Sequence, residues 1–355
     1  MRGFCAKNCG GFMPVWRFSS IIGILFALSF GTQASANTLE TVQDRGLLRC
    51  GVVNSGVGLS EIDLQGHWQG FFPDFCRFMA AAILGNADAV EYIEVNYVTR
   101  FEALNADAFD VLMANTTWTA GRDIDLKLAF THPLFYDGQG FLAHRSVGLD
   151  SVADLIGDKT YSVCVSDGTT TIENLRDLVA TNNLNLKIIT FQSVEGVYDA
   201  FFARVCDLMT QDRVALVSQR LNRAADPSSF VLFHDIISKE PLGPAVREND
   251  PQWYDIVQWT IYATMMAEEN GITQQNVDTF LNSAEPEIQR LLGVVPDIGD
   301  SLGLPRDWAY QGLKQVGSYS EIYDRTLGKN SSMGLERGLN ALWSDGGLLY
   351  TPPLR

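Results

Sequence analysis

Three short stretches carry side chains that could do chemistry. The first is Asn115-Thr116-Thr117-Trp118-Thr119-Ala120-Gly121-Arg122, which follows the apolar run Asp110–Ala114. A guanidinium is a planar fork that suits a carboxylate, and Thr117 and Asn115 add neutral hydrogen-bonding partners. The second is Gly168-Thr169-Thr170-Thr171, a turn into a helical pattern. Free backbone N–H groups and the helix dipole there attract an anion. The third is Asp212, just after the strand pattern Asp207–Thr210, where a carboxylate could receive an ammonium group. Each has a plainer reading taken alone: a surface arginine, a capped helix and an N-cap aspartate. Taken together they offer both charges of a free α-amino acid their opposites.

Enzyme signatures are absent from the sequence. The four histidines, His67, His132, His144 and His234, do not stand at metal-ligand spacing, and no close Cys-x-x-Cys pair occurs. There is no Gly-x-Ser-x-Gly elbow, no phosphate-binding P-loop and no dinucleotide fingerprint. No metal, no cofactor and no catalytic residue is expected, and the absence favours a binder over a catalyst.

The elements that must position these groups alternate. Leu47–Val53 reads as a strand, Phe75–Leu84 as a helix, Tyr92–Val98 as a strand and Asp110–Ala114 as a buried strand. Thr99 and Glu102 have the spacing of a capping box, as do Thr170 and Glu173. The order restarts with strand Thr160–Val165, a helix to about Asn182, strand Lys187–Gln192, helix Val194–Val205 and strand Asp207–Thr210. Strand and helix alternating in this way predict parallel sheets flanked by helices, in two similar α/β lobes. Ligands of such sheets bind at the carboxyl ends of strands, where all three stretches fall. Connectors at 135–141 and 238–244 predict two chain crossings. Helices are expected over 253–270, 273–283 and 285–292, and the rest, to Arg355, is expected to pack on the first lobe.

The chain has 355 residues, 46% hydrophobic and 19% charged, which is a globular composition long enough for two domains. Its net charge of −16 argues against nucleic acid and anionic lipid as partners. The first 36 residues differ from the rest. Arg2, Lys7 and Arg17 precede the apolar run Ile21–Leu28, and Gln33-Ala34-Ser35-Ala36 closes the stretch. That order predicts a signal peptide cleaved after Ala36; the run is short of the ~20 residues a membrane span needs. Removing residues 1–36 takes away three basic residues and no acid, for a charge of −19 over 319 residues. It also leaves four cysteines, Cys50, Cys76, Cys164 and Cys206, which in an exported chain predict disulfides. Three connectivities are open, and pairing within each half is the most economical.

The stretches Asn115–Arg122, Tyr136–Phe141, Cys164–Thr171, Ser238–Arg247 and Leu335–Pro353 are long and specific. Through them residues 38–355 resemble the periplasmic general L-amino-acid-binding proteins of bacterial ABC transporters. These belong to the two-lobed periplasmic solute-binding proteins. The resemblance implies the type II periplasmic-binding-protein fold, with two hinge crossings near 136–141 and 236–241 and a C-terminal helical extension. It implies a first lobe of 37–138 and 238–355 and a second of 139–237. Arg122 and Thr117 resemble the family's α-carboxylate ligands, and Thr170 the second-lobe residue that touches the same carboxylate. Asp212 resembles the acid that receives the ammonium, with Asn115 on the ammonium side. The resemblance also supports Cys50–Cys76 and Cys164–Cys206. Related binders often stack an aromatic ring from the first loop on the ligand, but Asn54–Ser60 has none, so Tyr97 is the candidate replacement. Phe72 stands where relatives usually carry an acid.

The function so implied is capture of L-amino acids and delivery to an inner-membrane permease, by a periplasmic protein expected to be a monomer. The rival expectation is an enzyme of the same fold acting on prephenate or arogenate. A receptor sensor domain is a third, for which the sequence offers no membrane anchor after the binding module.

Overall fold

The computed structural model describes residues 37–296 and 298–355, together with Gly11. The expected signal peptide lies outside the described residues. Two five-stranded sheets organise the chain. The first runs in the order Val90–Glu94, Leu48–Val52, Val111–Leu112, Ala245–Arg247, Leu128–Phe130. Its first three strands are parallel and Ala245–Arg247 is antiparallel to its neighbours. The second runs Leu186–Phe191, Tyr161–Ser166, Leu208–Asp212, Gln139–His144, Phe230–Leu232. There, too, the first three are parallel, and Gln139–His144 runs antiparallel to both of its neighbours.

The chain passes between the sheets at a ribbon of two short strands, Phe135–Asp137 and Glu240–Leu242, with Glu240 opposite Asp137. Gly138 follows the first of these. A Cβ on it would stand 2.2 Å from Ile236 Cγ2 and 3.0 Å from the Ser238 carbonyl oxygen, so the crossing needs a residue without a side chain.

Burial explains the first layer. Phe71–Leu84 is a helix with almost no polar face, and twelve of its residues are buried. It packs between its sheet and the helices Pro251–Glu269, Trp308–Gln315 and Tyr319–Thr326. Trp308, Tyr319 and Tyr323 of the C-terminal stretch join its aromatic cluster, and Phe71 meets both tyrosines edge-on. Cys50 is bonded to Cys76, tying strand to helix in this layer. Cys164 is bonded to Cys206 beneath the second sheet, whose own clusters draw on residues 141–233.

Several local expectations are corrected. The Thr99–Glu102 capping box does not form: the Thr99 side chain accepts no capping bond, and Asn96 Oδ1 instead takes the amides of Val98 and Thr99 as a turn. The second strand therefore ends at Glu94, and Tyr97 sits in the turn. The box at Thr170 does not form either: Thr169 is a simple N-cap that takes the Ile172 amide, and Thr170 is freed as the first helical residue. The long helix expected over 273–283 shrinks to Val277–Phe280. Phe72 is fully buried in the core and takes no part in the cleft. Among the described residues no helix is long and apolar enough to cross a membrane.

Candidate functional site

The loop Asn115–Arg122 leaves the end of strand Val111–Leu112 and is pinned to the crossing ribbon. Trp118 N–H donates to the Pro241 carbonyl at 2.9 Å, and Gly243 N–H to the Thr116 carbonyl at 3.1 Å. That fixes the backbone from which two candidates project. Thr117 Oγ1 donates to Glu240 Oε2 at 2.5 Å and lies 3.3 Å from Thr170 Oγ1. Arg122 donates from Nη1 to the Thr117 carbonyl at 2.8 Å, with its guanidinium 5.1 Å from the Phe101 ring centre. It is 8% exposed. Burial lowers its pKa, against the pull of Glu240, Glu173 and Asp212.

From the other sheet, strand Leu208–Asp212 delivers Asp212 to the same space. Asp212 stands at a helix start but caps nothing with its side chain. Its Oδ2 accepts from Asn115 Nδ2 at 2.8 Å, a bond from one sheet's loop to the other sheet's strand. Burial pushes its pKa up to about 8, with the negative charges of Asp137 and Glu240 adding to the effect. Thr170 opens the helix Thr170–Asn182, and the glycine two residues earlier makes the turn into it, with φ of +65°, a conformation that other residues rarely adopt.

Tyr97 hydrogen-bonds Asn115 through its hydroxyl, at 3.2 Å to Oδ1 and 3.0 Å from Nδ2, and takes a longer bond from Gln211. Burial raises its pKa to about 12, Asp212 reinforcing the shift. Thus Arg122, Thr117, Asn115, Thr170, Asp212 and Tyr97 all line one small cleft. The loop without an aromatic, Asn54–Ser60, faces a helix instead: Ser218 Oγ donates to the Val57 carbonyl at 2.8 Å. Among the described residues no group of three or more His, Cys, Asp or Glu could hold a metal ion.

Sequence reasoning missed Arg100 and Gln211 in the cleft wall and the acids behind it. Arg100 had a usable signal, for it shares with Leu104 the inward face of the helix Arg100–Asn105. Glu240 had none, since it sits in a connector. Its carboxylate accepts from Thr117, Ser238 and Asn174, and so braces the loop that carries Arg122. Asp137, opposite it, accepts the Val214 amide and has its pKa raised to about 6, first by burial.

Residues 48–280 match the model of the bacterial extracellular solute-binding proteins, family 3. The chain is 44% identical over 339 residues to the general L-amino acid-binding periplasmic protein AapJ of Rhizobium johnstonii, covering 95% of this chain and 98% of that one. It is 42% identical over 325 residues to the glutamate/glutamine/aspartate/asparagine-binding protein BztA of Rhodobacter capsulatus, covering 91% and 94%. Among solved structures, a Brucella ovis ABC transporter periplasmic binding protein with glutathione bound superposes with a TM-score of 0.87 at 41% identity. The match covers 90% of this chain and all of that one.

Proposed function

The chain belongs to family 3 of the bacterial extracellular solute-binding proteins, and from that premise we propose that its cleft captures a free L-amino acid and presents it to an ABC transporter permease. Arg122 and Thr117 take the α-carboxylate from one lobe, and the Thr170 hydroxyl takes it from the other. Asp212 takes the α-ammonium, with Asn115 beside it, and Tyr97 bounds the space. The observation that carries this reading is the meeting of Arg122 and Asp212, from different sheets, on one buried cleft. A zwitterion joins these opposite charges across the gap, so the ligand itself holds the lobes together.

The lobes in this reading are 37–138 with 238–355, and 139–237, and they close by bending at the ribbon Phe135–Asp137/Glu240–Leu242. Each charge-assisted bond contributes roughly 1.5–3 kcal/mol, and a handful of them less the ordering cost reaches about −8 kcal/mol, or micromolar affinity. The relative and the solved structure named as periplasmic binding proteins support export. Residues 1–36 are the proposed cleavable address, and the exported protein works as a monomer without a cofactor. The dehydratase alternative is not favoured, since the relatives at 40–44% identity carry the names of binding proteins.

The test is calorimetric titration of the purified protein with the twenty amino acids, beside Arg122→Ala. Wild-type binding at micromolar Kd, with at least a hundredfold loss in the variant at unchanged melting temperature, is the expected result. Undiminished binding by the folded variant would remove Arg122 from the site, and no binding by the wild type would sink the reading.

A further inference from the structure

The sheets' two halves also meet away from the cleft. The loop Asn54–Ser60 follows a strand of the first sheet, and none of its residues is among those that line the cleft. It folds on itself, the Gly56 amide donating to the Ser60 carbonyl at 3.1 Å and the Ser60 amide to the Gly56 carbonyl at 3.0 Å. What it meets is the helix Arg213–Arg223, which follows a strand of the second sheet. Ser218 Oγ donates to the Val57 carbonyl at 2.8 Å, and Gln219 Nε2 reaches the Ser55 carbonyl at 3.5 Å. Gly56 has φ of +112°, and a Cβ on it would stand 2.4 Å from Gln219 Nε2 and 3.0 Å from Ser218 Oγ. A side chain at that position would hold the loop off the helix.

The helix Arg213–Arg223 has two buried faces. Leu216 packs in a core cluster of the second sheet, whereas Val214 and Ala215 join the core of the first. Its amino end is tied to the crossing ribbon, where the Arg213 amide donates to the Gly138 carbonyl and the Val214 amide to Asp137. Ser218 lies five residues past Arg213, roughly 7 Å along the helix axis at about 1.5 Å per residue. A bend at the ribbon therefore moves Val214 little and Ser218 more, and it parts Ser218 from Val57. Ser218 is 0% exposed and Gln219 4%, a burial that belongs to the arrangement in which Asn115 and Asp212 also touch.

We infer that Gly56, Val57 and Ser218 form a latch that holds the lobes together without touching the ligand, so that affinity is set in part from outside the binding site. The inference rests on the proposed closure of the lobes around an amino acid. The three are positioning residues. They act on the fraction of the protein that is closed, and apparent affinity scales with that fraction. A contribution made without ligand contact is the same for every ligand. It multiplies all dissociation constants by one factor and leaves their ratios alone, which the loss of a group that touches the ligand side chain would not do.

The test measures calorimetric Kd values for L-glutamate and L-glutamine, with ligand-free melting temperatures, on the wild type, Ser218→Ala and Ser218→Phe. Ser218→Ala removes one hydrogen bond and should raise both Kd values about three- to tenfold. Ser218→Phe is a wedge between loop and helix and should raise both at least a hundredfold. In each variant the glutamate-to-glutamine ratio should stay within about threefold of the wild-type ratio, and the ligand-free melting temperature should not move. Unchanged Kd values in folded Ser218→Phe, or a loss confined to one ligand, overturn the latch. A lower ligand-free melting temperature in Ser218→Ala, which introduces no clash, would place the contact in the open form and overturns it too. Should Ser218→Phe fail to fold, Ser218→Ala decides alone. Any of these failures leaves the amino-acid reading standing, whereas binding of neither ligand by the wild type removes both.

Discussion

Asp212 carries the sharpest consequence at the scale of single residues. In the ligand-free cleft its carboxyl is pushed up to about 8, first by burial and then by Asp137 and Glu240. An ammonium favours the ionised form, so binding near pH 7 expels a proton. Affinity should therefore fall as the pH drops below 8, approaching about tenfold per pH unit, because a protonated Asp212 offers no charge. Titrations at pH 7 in two buffers of different ionisation enthalpy measure the proton directly, and a release near zero would exclude Asp212 as the ammonium partner. The same shift acts on stability with a defined sign. The unfolded carboxyl ionises near 3.9 and the folded one near 8, so the folded state holds the extra proton in between. Asp212 thus lowers the stability of the free protein as pH rises from about 4 to about 8, and Asp212→Asn should flatten that part of the curve in urea unfolding. Arg122, Thr117, Thr170 and Asp212 were legible in the sequence because polar groups after buried strands stand out. Arg100 was missed although it shares a helix face with Leu104, because its type suggests solvent while its partners, Tyr97 and Phe101, are visible only in space.

The crossing ribbon and the disulfides make their predictions at the scale of elements. Gly138 sits where a methyl group would strike Ile236 and the Ser238 carbonyl. Gly138→Ala should cost about 1–3 kcal/mol, the usual range for overpacking. Ile236 is 63% exposed, so trimming it should be cheap. Gly138→Ala/Ile236→Ala is expected to recover part of the loss, and a strictly additive pair in urea unfolding would show that the clash is not the cause. Cys50–Cys76 and Cys164–Cys206 span 26 and 42 positions of chain. Cross-links of that size contribute about 2–4 kcal/mol each, so a reductant should lower the melting temperature markedly, and an unchanged one would count against both bonds. The alternation of strands and helices was readable because apolar periodicity survives in sequence. Helix starts were less so. Thr99 looked like a cap until Asn96, three residues earlier, proved the better acceptor, and Thr169 took the role read into Thr170 because its backbone is extended where that of Thr170 is already helical. The helix expected over 273–283 is short because its polar residues find loop partners, Gln274 N–H donating to Glu321 and Asn276 Oδ1 taking the Thr273 amide.

For the molecule as a whole, the two sheets and the strand ends that carry the site were legible, since both halves spell a strand, a helix and an Asp-led strand. The tail was harder to read: residues 299–326 show no strand pattern, yet they form the helices Gly299–Leu302, Trp308–Gln315 and Tyr319–Thr326. The family match ends at residue 280, but the core beneath the first sheet does not. Trp308, Leu313, Tyr319 and Tyr323 complete it, and Tyr319 donates its hydroxyl proton to the Leu134 carbonyl. The second sheet's clusters, by contrast, are assembled from residues 141–233. This difference sets a chronology. A chain that emerges from its amino end presents every residue of the later sheet's core while the earlier sheet still waits for partners some 200 positions further on. The half that is made first is finished last, and until Tyr319 and Tyr323 arrive the aromatic face of Phe71 and Phe75 lacks two of the rings that cover it in the folded protein.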